Sequence, residues 1–269
     1  MRIEFDKMQG AGNDFVLIDN RDGQVPEAAK RKMVVDYCRR SFGIGADGMI
    51  FVESDPEYDF AWDFYNSDGS RAEMCGNGAR CVARFAVKIG AAGDGMTFRS
   101  LAGPIRAEIT ERGAKVQLTD VVLPAGPDTL DVDGKSISLW SLNSGVPHAV
   151  VRVDDIEQVD VKGLGAAIRR HPHFAPAGTN VNFITPLEGS RLAIRTYERG
   201  VEDETLACGT GSMAASIVLG AFLGQPSPVV AQTRGGGELA VHFTLDDGKA
   251  KNVFLEGGAE LVFSGGFEF

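Results

Sequence analysis

Met74-Cys75-Gly76-Asn77-Gly78-Ala79-Arg80-Cys81 has a counterpart 133 residues further along the chain, Ala207-Cys208-Gly209-Thr210-Gly211-Ser212-Met213-Ala214. Each copy is a thiol, a Gly-x-Gly step and then an apolar run. The same ungapped shift lays Gly12-Asn13-Asp14-Phe15-Val16 on Gly145-Val146-Pro147-His148-Ala149. It also lays Gly45-Ala46-Asp47-Gly48-Met49-Ile50 on Gly178-Thr179-Asn180-Val181-Asn182-Phe183, and Phe64-Tyr65-Asn66 on Tyr197-Glu198-Arg199. Four matches in one register point to a duplicated unit of nearly half the chain.

Alternating or apolar runs at residues 60–65, 96–101, 115–119, 136–142, 149–153, 191–197 and 253–255 read as strands. Helical patterns are fewer: residues 26–40, with proline in the first turn, 161–170, 76–89 and 209–223. The prediction is an α+β fold of two pseudo-symmetric, mainly antiparallel β lobes, each wrapped around a central helix that a Cys-Gly-x-Gly step opens.

Composition excludes several classes of function. With 37 Asp plus Glu against 27 Lys plus Arg, the net charge of −10 opposes nucleic acid and anionic lipid as partners. The longest apolar stretch, residues 217–223, is far below the roughly 20 residues of a membrane helix. The opening Met-Arg-Ile-Glu-Phe-Asp carries no charged leader before an apolar run, so it reads as the first strand of a cytoplasmic protein. Four cysteines, Cys38, Cys75, Cys81 and Cys208, make neither a disulfide scaffold nor a C-x-x-C metal pair. His171-Pro172-His173 has no third ligand near it in sequence, so no metal is expected. Gly43-Ile44-Gly45-Ala46-Asp47-Gly48 fits G-x-G-x-x-G by letter, but it follows a helix and opens a strand, the reverse of a dinucleotide loop.

A lone cysteine before a helix is usually a small buried hydrophobe. Cys38 and Cys81 keep that reading, because His171 and Ala214 stand at their corresponding positions. For Cys75 and Cys208 the duplication argues otherwise. Free backbone N–H groups and the positive helix end favour anions there, which lowers a thiol pKa and prepares a cradle for a carboxylate. Two such thiols converging on one carbon would perform an inverting proton transfer: the thiolate removes the Cα proton and the thiol delivers one to the far face.

Five strings together resemble the diaminopimelate epimerase family over residues 2 to about 265. They are Gly10-Ala11-Gly12-Asn13-Asp14-Phe15, Asn66-Ser67-Asp68-Gly69-Ser70, the octet from Met74 to Cys81, Tyr197-Glu198-Arg199-Gly200 and Ala207-Cys208-Gly209-Thr210-Gly211. The resemblance implies an isomerase in which Cys75 and Cys208 interconvert LL- and meso-diaminopimelate with no cofactor, neither pyridoxal phosphate nor metal. It implies a homodimer with a closing cleft, and a C-terminal strand that returns to the first lobe. The lobes are then residues 1–115 plus 257–269, carrying Cys75, and 116–256, carrying Cys208. By motif, Asn13, Asn66, Asn180, Glu198 and Arg199 line the substrate site, while Gly76, Asn77, Gly209 and Thr210 offer N–H groups to the reacting carboxylate. His148 approaches the reacting amino group. Arg199 suits the distal carboxylate, which a fixed guanidinium binds well. Two positions depart from the pattern: Val146 stands where many relatives have Asn, and Gly48 where some have Gln, so those two side-chain contacts are missing.

The nearest alternative is a related proline or hydroxyproline racemase or a phenazine-pathway isomerase, which needs no distal clamp. A two-lobed binding module or a redox protein is the reading from a different class.

Overall fold

The computed structural model describes residues 2–269, which form two compact units, one running to Gln117 and completed by Glu256–Phe269, the other Leu118–Leu255. In chain order the first unit holds β1 (Arg2–Gly10), β2 (Asn13–Asp19), α1 (Glu27–Tyr37), β3 (Gly48–Glu53), β4 (Phe60–Asn66), α2 (Gly76–Lys88), β5 (Gly95–Ser100), β6 (Gly103–Thr110) and β7 (Gly113–Gln117). The chain continues through β8 (Val121–Val122), β9 (Asp128–Val132), β10 (Lys135–Asn143), β11 (Pro147–Arg152), α3 (Val161–Arg169), β12 (Asn180–Leu187), β13 (Arg191–Glu198), β14 (Asp203–Thr205), α4 (Gly209–Leu223), β15 (Val229–Gln232), β16 (Glu238–Asp246) and β17 (Lys249–Gly257). It ends in β18 (Glu260–Glu268).

The pairing repeats. In the first unit β1–β2 is antiparallel, β2–β3 parallel, β3–β4 antiparallel, β4–β5 parallel and β5–β6 antiparallel. In the second unit β10–β11, β11–β12, β12–β13, β13–β15 and β15–β16 follow the same sequence of directions. Each sheet is therefore mainly antiparallel with two parallel joints, and each parallel joint spans a helix or a long loop, as a crossover requires.

Within each unit one helix is enclosed. α2 buries Asn77 to Ala83, Phe85 and Ala86, and α4 buries Gly211 to Gly220 and stops at Gly224 in the left-handed conformation. A helix that is apolar nearly all round, as α4 is, must sit inside the fold. The outer helix α1 is shorter than the periodicity suggests, because Pro26 caps it and Cys38 closes it. It turns Met33 and Val34 into a core with Phe51, Met49, Ile18 and Cys38. In the second unit α3 packs Val161 and Ile168 against Phe183, Val151 and Tyr197. No helix among the described residues is long and apolar enough to cross a membrane.

The internal register corrects two of the sequence alignments, that of Gly48 with Val181, which becomes Asn180, and that of Asn66 with Arg199. Phe15 and His148 correspond at the 133-residue shift, but Phe15 pairs with Gly48 whereas His148 pairs with Asn180. Gly48 pairs with Asn66, and the ladder joining Val181 to Tyr197, carried one step further, brings Asn180 to Glu198. Asn66 therefore corresponds to Glu198, not to Arg199. Strand alternation forbids a one-residue slip within a ladder, since it would turn the core face outward. The loop preceding Cys208 absorbs the extra residue instead.

Candidate active site

Cys75 is the N-cap of α2 and Cys208 that of α4, both with extended backbone angles. The strand-to-helix turn thus presents each sulfur beside the first N–H groups of its helix.

In the first unit, β1 and β2 are joined by Ala11 and Gly12, with φ of 54° and 84°, the two-residue turn that suits the twist of a hairpin. This turn places Asn13 at the start of β2, where its Oδ1 accepts from the Cys75 thiol at 3.5 Å and from Asn77 Nδ2 at 3.4 Å. Asn13 Nδ2 donates to Asp47 Oδ2 at 2.5 Å, so a carboxylate fixes which end of the amide faces the sulfur. Asp47 is held in turn by Arg40 at 2.9 Å, and Arg40 also grips Asp14. Burial pushes Asp14 up, but hydrogen bonds and charge from Arg40 and Lys7 outweigh it and hold the carboxyl at about 2. Behind α2 lies Arg80, with no exposed surface. Its Nη2 donates to Asn77 Oδ1 at 2.8 Å, and its Nη1 and Nε donate to the carbonyls of Gly76 and Gly258, each at 3.3 Å. Asn66, at the exposed end of β4, donates to Ser70 Oγ at 3.0 Å.

In the second unit, the Cys208 sulfur accepts from Gly211 N at 3.4 Å and lies 3.5 Å from Thr210 Oγ1. Gly211 has to be glycine, because a Cβ there would come within 2.3 Å of Asn182 Oδ1 and 3.2 Å of the sulfur. His148 is fully buried, and both of its ring nitrogens are engaged: Nε2 on Thr210 Oγ1 at 3.0 Å and Nδ1 on Asn182 Nδ2 at 2.9 Å. Asn182 Nδ2 also reaches the Ala149 carbonyl at 3.2 Å, which can only accept. That nitrogen is therefore the donor, Nδ1 of His148 accepts, and the proton sits on Nε2. Burial and the charge of Arg199 pull His148 down to about 3, so the ring is neutral. The ring nitrogens of His148 thus face Thr210 and Asn182. Asn180 donates to the Pro147 carbonyl at 3.1 Å and accepts from Arg199 N at 2.9 Å, which anchors the turn that carries Glu198 and Arg199. Arg199 Nη1 donates to the Ala177 carbonyl at 3.1 Å. Glu198 is half-buried, and burial raises its carboxyl.

The electrostatics differ from the sequence expectation that a helix N-terminus lowers each thiol. Burial dominates and pushes Cys75 up, against the N–H groups of Gly78 and Asn77 and the charge of Arg80. Burial and then the carboxylate of Glu198 push Cys208 up to about 11, against the Thr210 hydroxyl and the N–H groups of Gly211 and Thr210. Desolvation exceeds the helix-end effect because the latter is at most a couple of kcal/mol even in partly buried geometry. Both groups are thiols at neutral pH, and the cation stands beside Cys75 while the anion stands beside Cys208. Cys38 and Cys81 are core residues that burial pushes up to about 12.

The first unit thus gathers Asn13, Gly76 and Asn77 around Cys75, and the second gathers Gly209, Thr210, Glu198 and, through Asn180, Arg199 around Cys208. Sequence reasoning passed over Asp47, Arg80 and Asn182. Asn182 alone had a signal, a polar residue on the inward face of an otherwise apolar strand. The departure at Gly48 has a packing cause, since a Cβ there would come within 2.6 Å of the Tyr65 carbonyl oxygen and 2.7 Å of the Phe64 ring. Among the described residues no group of three or more His, Cys, Asp or Glu side chains is placed to hold a metal ion.

Comparison with known proteins agrees with this geometry. The diaminopimelate epimerase family profile matches residues 5–124 and 140–262. A diaminopimelate epimerase of Aquifex aeolicus is 47% identical over 98% of this chain and 97% of its own. One of Archaeoglobus fulgidus is 40% identical over 98% and 96%. Among solved structures, a phenazine biosynthesis protein of the PhzF family from Bacillus anthracis superposes with a TM-score of 0.72 at 14% identity, covering 100% of both chains. A hydroxyproline epimerase from Agrobacterium vitis superposes at 0.65 and 14%, covering 98% of this chain and 92% of its own. The structural likenesses establish the fold, and the profile with the near full-length relatives establishes that the chain belongs to the diaminopimelate epimerase family.

Proposed function

We propose that this protein epimerises LL-2,6-diaminopimelate to the meso isomer by proton transfer at Cα, with Cys75 and Cys208 as the two acid/base groups and no cofactor. One observation carries the reading: two topologically equivalent helices each have a cysteine as N-cap residue, the Cys208 sulfur accepting from the N–H of Gly211 and the Cys75 thiol hydrogen-bonded to Asn13. In one direction Cys75, beside the cation Arg80, takes the Cα proton as the thiolate. Cys208, beside the anion Glu198, stays a thiol and supplies the proton to the opposite face. The roles exchange in reverse. The N–H groups of Gly76, Asn77, Gly209 and Thr210 stabilise charge that develops on the reacting carboxylate. Asn13, Asn66, Asn180, Glu198 and Arg199 serve the amino groups and the distal carboxylate, with Arg199 as the clamp.

The reading includes a homodimer, supported by Leu261, Val262 and Phe263 exposed together on β18, an edge that a monomer would have to shield. A cytoplasmic location fits the need for free thiols.

The test follows solvent deuterium uptake at Cα with diaminopimelate and, separately, with proline. Uptake into diaminopimelate that Cys75→Ala and Cys208→Ala each abolish, in folded protein, is the expected result. Uptake into proline alone, or turnover retained by either variant, overturns the proposal.

A further inference from the structure

Among the described residues Arg80 is the one charged side chain with no exposed surface, and it forms no ion pair with a carboxylate there. Its partners are three neutral acceptors, the carbonyls of Gly76 and Gly258 and the amide oxygen of Asn77. By contrast the nearly buried Lys30 and Lys7 each have a carboxylate within 2.8 Å. A guanidinium does not shed its proton in a protein, and burying one without a counter-charge is costly. Such a cost persists where the charge has a task, and Arg80 interacts electrostatically with Cys81 and Cys75. Cys81 is sealed in the core. Cys75 is only partly buried and lies one residue from the carbonyl that Arg80 holds.

The fork also sets an orientation. With Asn77 Oδ1 taken by Arg80, its Nδ2 is left to face Asn13 Oδ1, and Asp47 fixes the other end of Asn13. Gly10 leaves room for this arrangement: a Cβ there would lie 3.3 Å from the Asn77 and Gly258 carbonyl oxygens and 3.4 Å from Arg80 Nη2.

We infer that Arg80 is a positioning residue for the first half of the site: it is the resident counter-cation of the Cys75 thiolate, and through Asn77 it fixes the amides that meet the sulfur. Its role in turnover rests on the function proposed above; its effect on the Cys75 sulfur does not. The charged groups acting on Cys75 are Arg80, which favours the thiolate, and Asp47, which opposes it.

The test alkylates the free enzyme with iodoacetamide at pH 8 and reads each cysteine separately by peptide mass spectrometry, with Cys208 as the internal control. Arg80→Gln, which keeps donors but loses charge, should slow Cys75 about tenfold or more, since an adjacent opposite charge moves a pKa by roughly 1–3 units. Cys208 should change by less than about threefold, and Arg80→Lys should restore Cys75 to within about threefold of wild type. With diaminopimelate, kcat of Arg80→Gln should fall at least about tenfold while KM changes little, the pattern of a group that acts only as charge develops. Equal Cys75 rates in all three proteins, or Cys208 slowed as much as Cys75, would overturn the inference. If Arg80→Gln does not fold, Arg80→Lys decides: Cys75 reactivity kept with kcat lowered by the lost fork supports it, and Cys75 slowed tenfold refutes it. Because alkylation needs no substrate, an enzyme inert to diaminopimelate whose Cys75 still depends on Arg80 would sink the proposed function and leave this inference standing.

Discussion

Thr210→Val isolates one hydroxyl between a buried imidazole and a sulfur. The direction of the hydrogen bonds is settled from the far end. The Ala149 carbonyl makes Asn182 Nδ2 a donor, so His148 carries its proton on Nε2 and gives it to Thr210 Oγ1 at 3.0 Å. The Thr210 proton is then free to point at Cys208, 3.5 Å away. Valine keeps the shape and removes both bonds. His148 is left with a buried, unmatched N–H, which costs about 1–3 kcal/mol, a fall in Tm of roughly 3–9 °C for a chain of this size. A Cys208 thiolate loses one neutral donor, so the thiol, at about 11, moves up by roughly half to one unit. Scanning calorimetry and the pH dependence of Cys208 alkylation measure the two effects independently. Thr210→Ser, which keeps the hydroxyl, should stay close to wild type in both. A valine variant with unchanged Tm and unchanged Cys208 reactivity, or a serine variant as impaired as the valine one, would refute the relay.

Two further outcomes follow from buried groups. His148 titrates at about 3 in the folded chain against 6.5 for the free side chain, so the unfolded chain binds the proton first. Its contribution to stability is therefore complete above about pH 6.5 and is lost as pH falls, by about 1.4 kcal/mol per unit. The stability gap between wild type and His148→Gln, from urea unfolding, should shrink by about 2–3 kcal/mol between pH 7 and 4.5; a constant gap would contradict burial as the cause. In the first unit, Lys30 sits 2.8 Å from Asp63 and 2.7 Å from Glu53. Lys30→Met leaves the buried Asp63 with Arg71 as its one cation and the Tyr65 hydroxyl as its other donor, and should cost about 3–5 kcal/mol, part of which Asp63→Asn in the same chain restores. A loss below about 1 kcal/mol would show that Arg71 suffices.

Much of this protein is legible without coordinates, for a physical reason: duplication writes the same local rules twice. The two Cys-Gly-x-Gly steps mark helix starts because glycine lets the chain turn tightly into the helix, with the cysteine at the N-cap position of each. The apolar run of residues 209–223 is α4 to the residue, because its ends are a capping cysteine and a left-handed glycine. Asn13 and Cys75 could be singled out as residues of one site, although 62 positions separate them, because each belongs to a recognisable string.

What the sequence does not contain is the cross-strand register and the balance of burial against charge. The one-residue slip that makes Glu198 the counterpart of Asn66 lives in hydrogen-bond ladders, which no linear alignment sees. The helix-end argument gives the sign of one contribution to each thiol, but the desolvation that overrides it depends on what the sheet packs over the sulfur. His148, read as a loop histidine near an amino group, is a neutral buried ring whose proton position is fixed by the carbonyl of Ala149, two bonds removed. Arg80 is a charge in a helix by sequence; only the fold buries it and gives it neutral acceptors, the carbonyls of Gly76 and Gly258 and the amide oxygen of Asn77.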